Sequence, residues 1–334
     1  MPAAGYHLER WALRTLRTVD LSVATVMDPV RLALSVPQAL VSLGRWRPDV
    51  VFTTGGYVAI PTLAAAATLR VPSLMWEGNR LAGRSVRATA RLATALACSF
   101  AGTATALPGR TYTTGTPIRS FAGIDRAAAR AALALPADVP VVLVFGGSQA
   151  VRRLNEAVAT ALAEVLETVC VLHLTGESAY AEALRRREAL PAAQRGRYRV
   201  FPFLGEEMAG AFVAADLLVG RAGSSTLAEA AAVGLPLVVV PYPHAAGHQA
   251  ANARELVEAG AARLVADEAF DGAAFAAACA ILADEPRRAA MAAASRSMGR
   301  PGAADATASL LLDLADRSPL PDAARIERET RVVA

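Results

Sequence analysis

Short apolar runs recur along the chain, each closed by glycine, proline or a polar turn. They lie at 49–53 (DVVFT), 72–76, 95–99, 140–145 (PVVLVF), 169–174 (VCVLHL), 198–202 (YRVFP), 216–220, 236–240 and 262–265. Between them run longer stretches with apolar residues at helical spacing, among them 150–166, 177–189, 224–233 and 248–259. A strand without polar alternation is buried on both faces, and such strands alternating with helices predict parallel sheets. The expected fold class is α/β, doubly wound.

The regularity breaks at "TGTPIRSFAG" (114–123), where Gly, Pro and Ser interrupt the pattern. Six apolar runs follow this break, enough for a complete Rossmann-like unit. About three precede it, few for a doubly wound domain. The expected division is 1–118, then 119–301, with a further helix at 302–316 and 317–334 a flexible tail. No repeat of fixed period is evident. Length agrees with two domains, because 334 residues exceed the ~250–300 at which single cores stop growing.

Composition narrows the function classes. The chain is 54% hydrophobic and 19% charged, as a globular protein with a large core would be. It has no lysine, so all 34 basic residues are arginine, and the net charge is +4. These arginines are spread out and do not interleave with aromatics, so no nucleic-acid partner is expected. The three cysteines, Cys98, Cys170 and Cys279, lie far apart in apolar surroundings and read as small buried hydrophobes. No stretch reaches the ~18 apolar residues that would span a bilayer. No Asp-x-Asp is present, the four histidines lack zinc spacing, and no GxSxG elbow occurs. No metal, no cofactor and no serine-hydrolase chemistry are expected.

Three glycine turns follow predicted strands. In "VFGGSQAVRRLNEA" (144–157) Gly146-Gly147-Ser148 opens a helix. Glycines let a ligand approach the backbone, and a helix start attracts phosphate. A plain strand–helix turn capped by serine is the alternative. In "GRAGSSTLAEAAAVGLPLVVVPYPHAAGHQAANA" (220–253) Gly223 leads into Ser224, Ser225 and Thr226. Glu229 follows on the second turn, where a carboxylate can take both hydroxyls of a ribose. Helix capping and a solvated acid are the alternatives. In "TTGGYVAIPTLAAAA" (53–67) Gly55, Gly56 and Tyr57 form a tight turn or a wall of a site.

Taken together, "PDVVFTTGGYVAIPTLAAA", "WEGNRLAGRSVRATARLA", "TGTPIRSF", "VFGGSQAVRRLNEAV" and the long stretch from Phe201 to Ala262 resemble the MurG family. The resemblance covers about residues 4–300. These bacterial transferases move N-acetylglucosamine from UDP-GlcNAc to lipid I, making lipid II for peptidoglycan. The resemblance implies a GT-B fold, two Rossmann-like domains facing a cleft, with the C-terminal helix 302–316 crossing back to join 1–118. It implies inverting, metal-independent transfer to the C4 hydroxyl of the muramyl sugar. Arg119 and the backbone of Leu204 would meet uracil, and Ser148 the diphosphate. Ser224, Ser225, Thr226 and Glu229 would hold phosphate and ribose. Gln249 and Asn79 would reach the sugar, with Gly55, Gly56, Tyr57 and Glu77 on the acceptor side.

The chain departs from the family in places. The family opens with a strand and a glycine-rich loop ending in histidine, and this sequence begins to match some tens of residues later. The first domain is therefore expected to be incomplete at its N-terminus. The family's His-Glu-Gln-Asn reads Trp76-Glu77-Gly78-Asn79, its Gly-Asn-Pro-Val-Arg reads Gly115-Thr116-Pro117-Ile118-Arg119, and Ala150 replaces a glycine. Glu77 and His244 both have the chemistry of a general base, and the sequence assigns neither. An impaired or non-catalytic UDP-sugar-binding relative stays open as an alternative. So does another GT-B enzyme, such as a UDP-GlcNAc 2-epimerase or a transferase with a different acceptor. Val30, Leu34, Leu40, Leu43 and Trp46 among Arg31, Arg45 and Arg47 form either a core-facing helix or an interfacial patch. The family's lipid-linked acceptor implies a peripheral protein on the cytoplasmic side of the cell membrane.

Overall fold

The computed structural model describes residues 5, 7–9, 11, 23–146, 152–243 and 247–331. They divide into two compact units: the chain up to Gly115 with Asp305–Glu329, and Thr116–Ala304 with the residues from Thr330.

The first unit carries a parallel sheet of four strands in chain order: β1 (Val51–Thr53), β2 (Ser73–Glu77), β3 (Ala95–Cys98) and β4 (Thr111–Thr113). The apolar pattern anticipates β1 to β3 and misses β4. That strand is an edge reading Thr-Tyr-Thr, in which only Tyr112 is buried. An edge strand covered on one face has no apolar run to announce it. Leu63, Met75, Val86 and Leu96 fill one side of the sheet. Leu74, Ala97 and Tyr112 fill the other, against Leu310, Leu314 and Ile326.

The last contact corrects the reading of a flexible tail for the described residues, 317–331. Ala323–Thr330 is a helix, and Ile326 is fully buried. The Tyr112 hydroxyl and the Arg110 guanidinium donate to the carbonyls of Pro321 and Leu320. Ile326, with Leu320 packed on the same cluster and Thr330 buried, anchors a segment whose composition is largely polar.

The second unit holds six strands: β5 (Val141–Phe145), β6 (Cys170–Leu174), β7 (Tyr198–Phe201), β8 (Leu217–Gly220), β9 (Leu237–Val239) and β10 (Ala262–Leu264). All pair in parallel, in the spatial order β10-β9-β8-β5-β6-β7. Leu154, Val158, Leu162 and Val165 recur at helical spacing along Arg152–Val165 and pack on one face of the sheet. Phe212, Leu227, Ala230 and Leu256 cover the other. Both faces are sealed, which explains the continuous apolar runs. The three thiols lie in these interiors, and burial pushes Cys98, Cys170 and Cys279 up to about 12.

Candidate functional site

In the second unit every strand leaves the sheet at the same edge, because all six are parallel. The direction of winding reverses between β5 and β8, and at such a point two strand exits diverge and leave a crevice. The exit of β5 is Gly146, followed by residues outside the described set. The exit of β8 is Gly220-Arg221-Ala222-Gly223. A Cβ on Gly220 would stand 2.5 Å from the Phe145 carbonyl oxygen, so only glycine allows these strands to close up here.

The helix Ser224–Val233 starts with Gly223 as its N-cap, and no side chain caps it. Ser224, Ser225 and Thr226 therefore sit inside the first turn and leave capping to a glycine. The first-turn N–H groups face outward with the positive end of the helix dipole. Glu229 lies five residues along, 8% exposed. Arg119 Nε donates to Glu229 Oε1 at 2.7 Å, and Arg119 Nη1 reaches the Gly205 carbonyl at 3.3 Å. Burial raises the Glu229 pKa, and the Arg119 hydrogen bond and charge pull it back down.

Arg119 and Glu229 line a cavity of about 420 Å³ together with Phe145, Leu174, Gly176, Glu177 and the turn from Pro202 to Gly205. Its walls are largely apolar, with the carboxylates of Glu177 and Glu229 and the guanidinium of Arg119 among them. Leu204 is buried there and Phe203 is 72% exposed. Further along the edge, the helix His248–Glu258 begins after Gly247. Gln249 Oε1 accepts the Tyr242 N–H at 2.8 Å. Asn252, also buried, donates to the Ala222 carbonyl at 3.4 Å and ties this helix to the β8 exit.

In the first unit, Gly55 and Gly56 both adopt left-handed backbone, at φ 75° and 78°, between β1 and the helix Ala59–Leu69. Tyr57 occupies the turn just before that helix. Glu77 ends β2 and is 5% exposed. Its Oε1 accepts the backbone N–H of Asn79 at 2.8 Å and the Asn79 side-chain amide at 3.1 Å, and its Oε2 accepts the Gly83 N–H at 3.0 Å. Both carboxylate oxygens thus hold the 78–83 loop. The Trp76 indole donates to the Gly115 carbonyl at 3.1 Å.

Two family models match: the glycosyltransferase family 28 N-terminal domain over residues 2–98 and its C-terminal domain over 141–307. A curated relative from Desulforudis audaxviator is 37% identical over 89% of this chain and 82% of its own. One from Prosthecochloris aestuarii is 38% identical over 95% and 85%. Both are named UDP-N-acetylglucosamine–N-acetylmuramyl-(pentapeptide) pyrophosphoryl-undecaprenol N-acetylglucosamine transferase. The chain belongs to the MurG branch of glycosyltransferase family 28.

The solved structure of MurG from Acinetobacter baumannii is similar in fold, with a TM-score of 0.70 and 27% identity over 90% of this chain and 83% of that one. The GT-B reading of two parallel α/β units is correct. As a family 28 member, the chain places Arg119, Leu204 and Glu229 around one cavity, and Glu77 beside Asn79. Ser148 and His244 lie outside the described residues. Sequence reasoning passed over Phe203, Arg221 and Asp267. The first is marked only by its exposure, and the other two meet from positions 46 residues apart. Among the described residues no helix is long and apolar enough to cross a membrane.

Proposed function

We propose that this chain transfers N-acetylglucosamine from UDP-GlcNAc to the muramyl C4 hydroxyl of lipid I, giving lipid II. One observation carries the reading: a buried acid, Glu229, paired with Arg119, stands beside an uncapped helix start at the switch point of a family 28 sheet. The acid suits a ribose diol and the helix start suits a diphosphate. Arg119 and the Leu204 backbone would take the uracil edge, with Phe203 offering an exposed ring for the base. Ser148 would join Ser224, Ser225 and Thr226 at the phosphates.

In the transfer the C1–O bond to the diphosphate breaks as the C4 oxygen bonds C1 from the opposite face, its hydroxyl proton passing to a general base. Negative charge builds on the departing UDP, where the N–H groups of the Ser224 helix meet it already oriented. Gln249 and Asn79 would position the sugar, and Gly55, Gly56 and Tyr57 the acceptor. Glu77 serves this best as the clamp that presents Asn79, since its oxygens already accept three N–H groups.

We place the protein at the cytoplasmic membrane face, where a lipid-linked acceptor would be met. Leu34 and Val41, two turns apart on the helix Val23–Trp46, are 57% and 71% exposed. Leu34→Asp with Val41→Asp is expected to lower co-sedimentation with anionic vesicles while leaving UDP-GlcNAc binding unchanged. Equal sedimentation of both proteins would remove this helix from the membrane contact. The activity itself is tested by incubating the chain with labelled UDP-GlcNAc and lipid I in the presence of EDTA, beside calorimetry with UDP-GlcNAc. Lipid II formation is expected. Donor binding without transfer would leave a sugar-nucleotide-binding protein instead.

A further inference from the structure

Arg221 is the first residue after β8, and it is 6% exposed. A guanidinium so placed has lost its hydration and must be answered from within. Its Nη1 donates to the Val240 carbonyl at 3.0 Å and to Asp267 Oδ1 at 2.5 Å, with the Pro241 carbonyl at 3.5 Å. Its central carbon lies 5.5 Å from the centre of the Tyr242 ring, within cation–π range. Asp267 in turn faces Arg153 at 3.8 Å. Three consecutive residues of the turn after β9 therefore rest on one side chain.

That turn carries one more link. The Tyr242 N–H is the donor that fixes Gln249 Oε1. An amide held by its oxygen presents its two N–H donors in one direction. The direction depends on where the turn sits, and the turn sits where Arg221 holds it.

We propose that Arg221, anchored by Asp267, is a positioning residue for the sugar end of the donor site, setting the 240–242 turn so that Gln249 aims its amide donors at the hydroxyls of the transferred hexosamine. The proposal rests on the reading of Gln249 as a sugar contact. It leaves Glu229 and the nucleotide pocket out, so the two halves of the donor separate the contributions.

The test is calorimetry on the full chain with UDP and with UDP-GlcNAc, the ratio of the two dissociation constants giving the sugar's share. Asp267→Asn, nearly isosteric, frees the anchor, and Arg221→Lys keeps the charge while losing the planar fork. Each is expected to cut the sugar's share by about five-fold or more, the order of one well-placed hydrogen bond, with UDP affinity nearly unchanged. Gln249→Ala should remove the same share, and adding Asp267→Asn to it should remove no more. If Gln249→Ala lowers the share while Asp267→Asn and Arg221→Lys weaken UDP and UDP-GlcNAc in parallel, or weaken neither, Arg221 has no positioning role. If Gln249→Ala leaves the share intact, the sugar contact itself is wrong and the proposal falls with it.

Discussion

Glu229 is the residue on which donor recognition turns, and its environment pulls two ways. Burial disfavours its charge and Arg119 restores it. Removing the acceptor with Glu229→Ala is expected to weaken UDP-GlcNAc binding about ten-fold or more, the scale of a hydrogen bond to a charged group; calorimetry checks this. Only the ionised carboxylate offers both oxygens to a ribose diol. Affinity should therefore hold at neutral pH and fall as acid drives pH through the pKa of this group, which burial raises from its ordinary value. Arg119→Ala removes the influence that lowers it, so the fall should move to higher pH in the same titration. Glu229 was legible from sequence because it follows a Gly-Ser-Ser-Thr helix start at a fixed spacing. Arg221 and Asp267 were not, since no local rule joins residues that follow β8 and β10, two strands with β9 between them.

Elements explain more of what the sequence could and could not show. The strands buried on both faces announced themselves as apolar runs, and the helix limits at 177–189 and 224–233 agree with the structure. β4 escaped because half of its surface is polar, and Ala323–Thr330 because its buried residues, Ile326 and Thr330, are too few to make an apolar pattern. Where strands meet most closely, glycine decides: Gly220→Ala would force β8 away from the Phe145 carbonyl. It is expected to cost about 1–3 kcal/mol, read as a lower urea midpoint. The buried pairing of β6 with its helix makes a second case. His173 Nδ1 meets the Tyr198 hydroxyl and Nε2 meets Asn155 Oδ1, each at 2.9 Å. Burial lowers the His173 pKa from 6.5 to about 3. Between these values the unfolded chain binds a proton that the folded one refuses, so stability falls as pH drops below 6.5. From pH 6.5 to 5 that loss is about 2 kcal/mol. His173→Gln should flatten this slope in urea titrations at the two pH values.

At the scale of the whole molecule, each unit has its own parallel sheet and its own pair of apolar clusters. The break near residue 115 was visible because turn residues interrupt a regular pattern, whereas the return of Asp305–Glu329 to the first unit leaves no mark in composition. The thiols have a use that their burial suggests. Cys98 belongs to the first unit, Cys170 and Cys279 to the second. A thiol reacts as thiolate and only when reached, so none should be alkylated in the native protein at neutral pH. Under slowly rising denaturant each becomes a clock for its own unit. Labelled peptides separated by mass should show Cys170 and Cys279 reacting together. Reaction of all three at one denaturant concentration would mean that the two units melt as one.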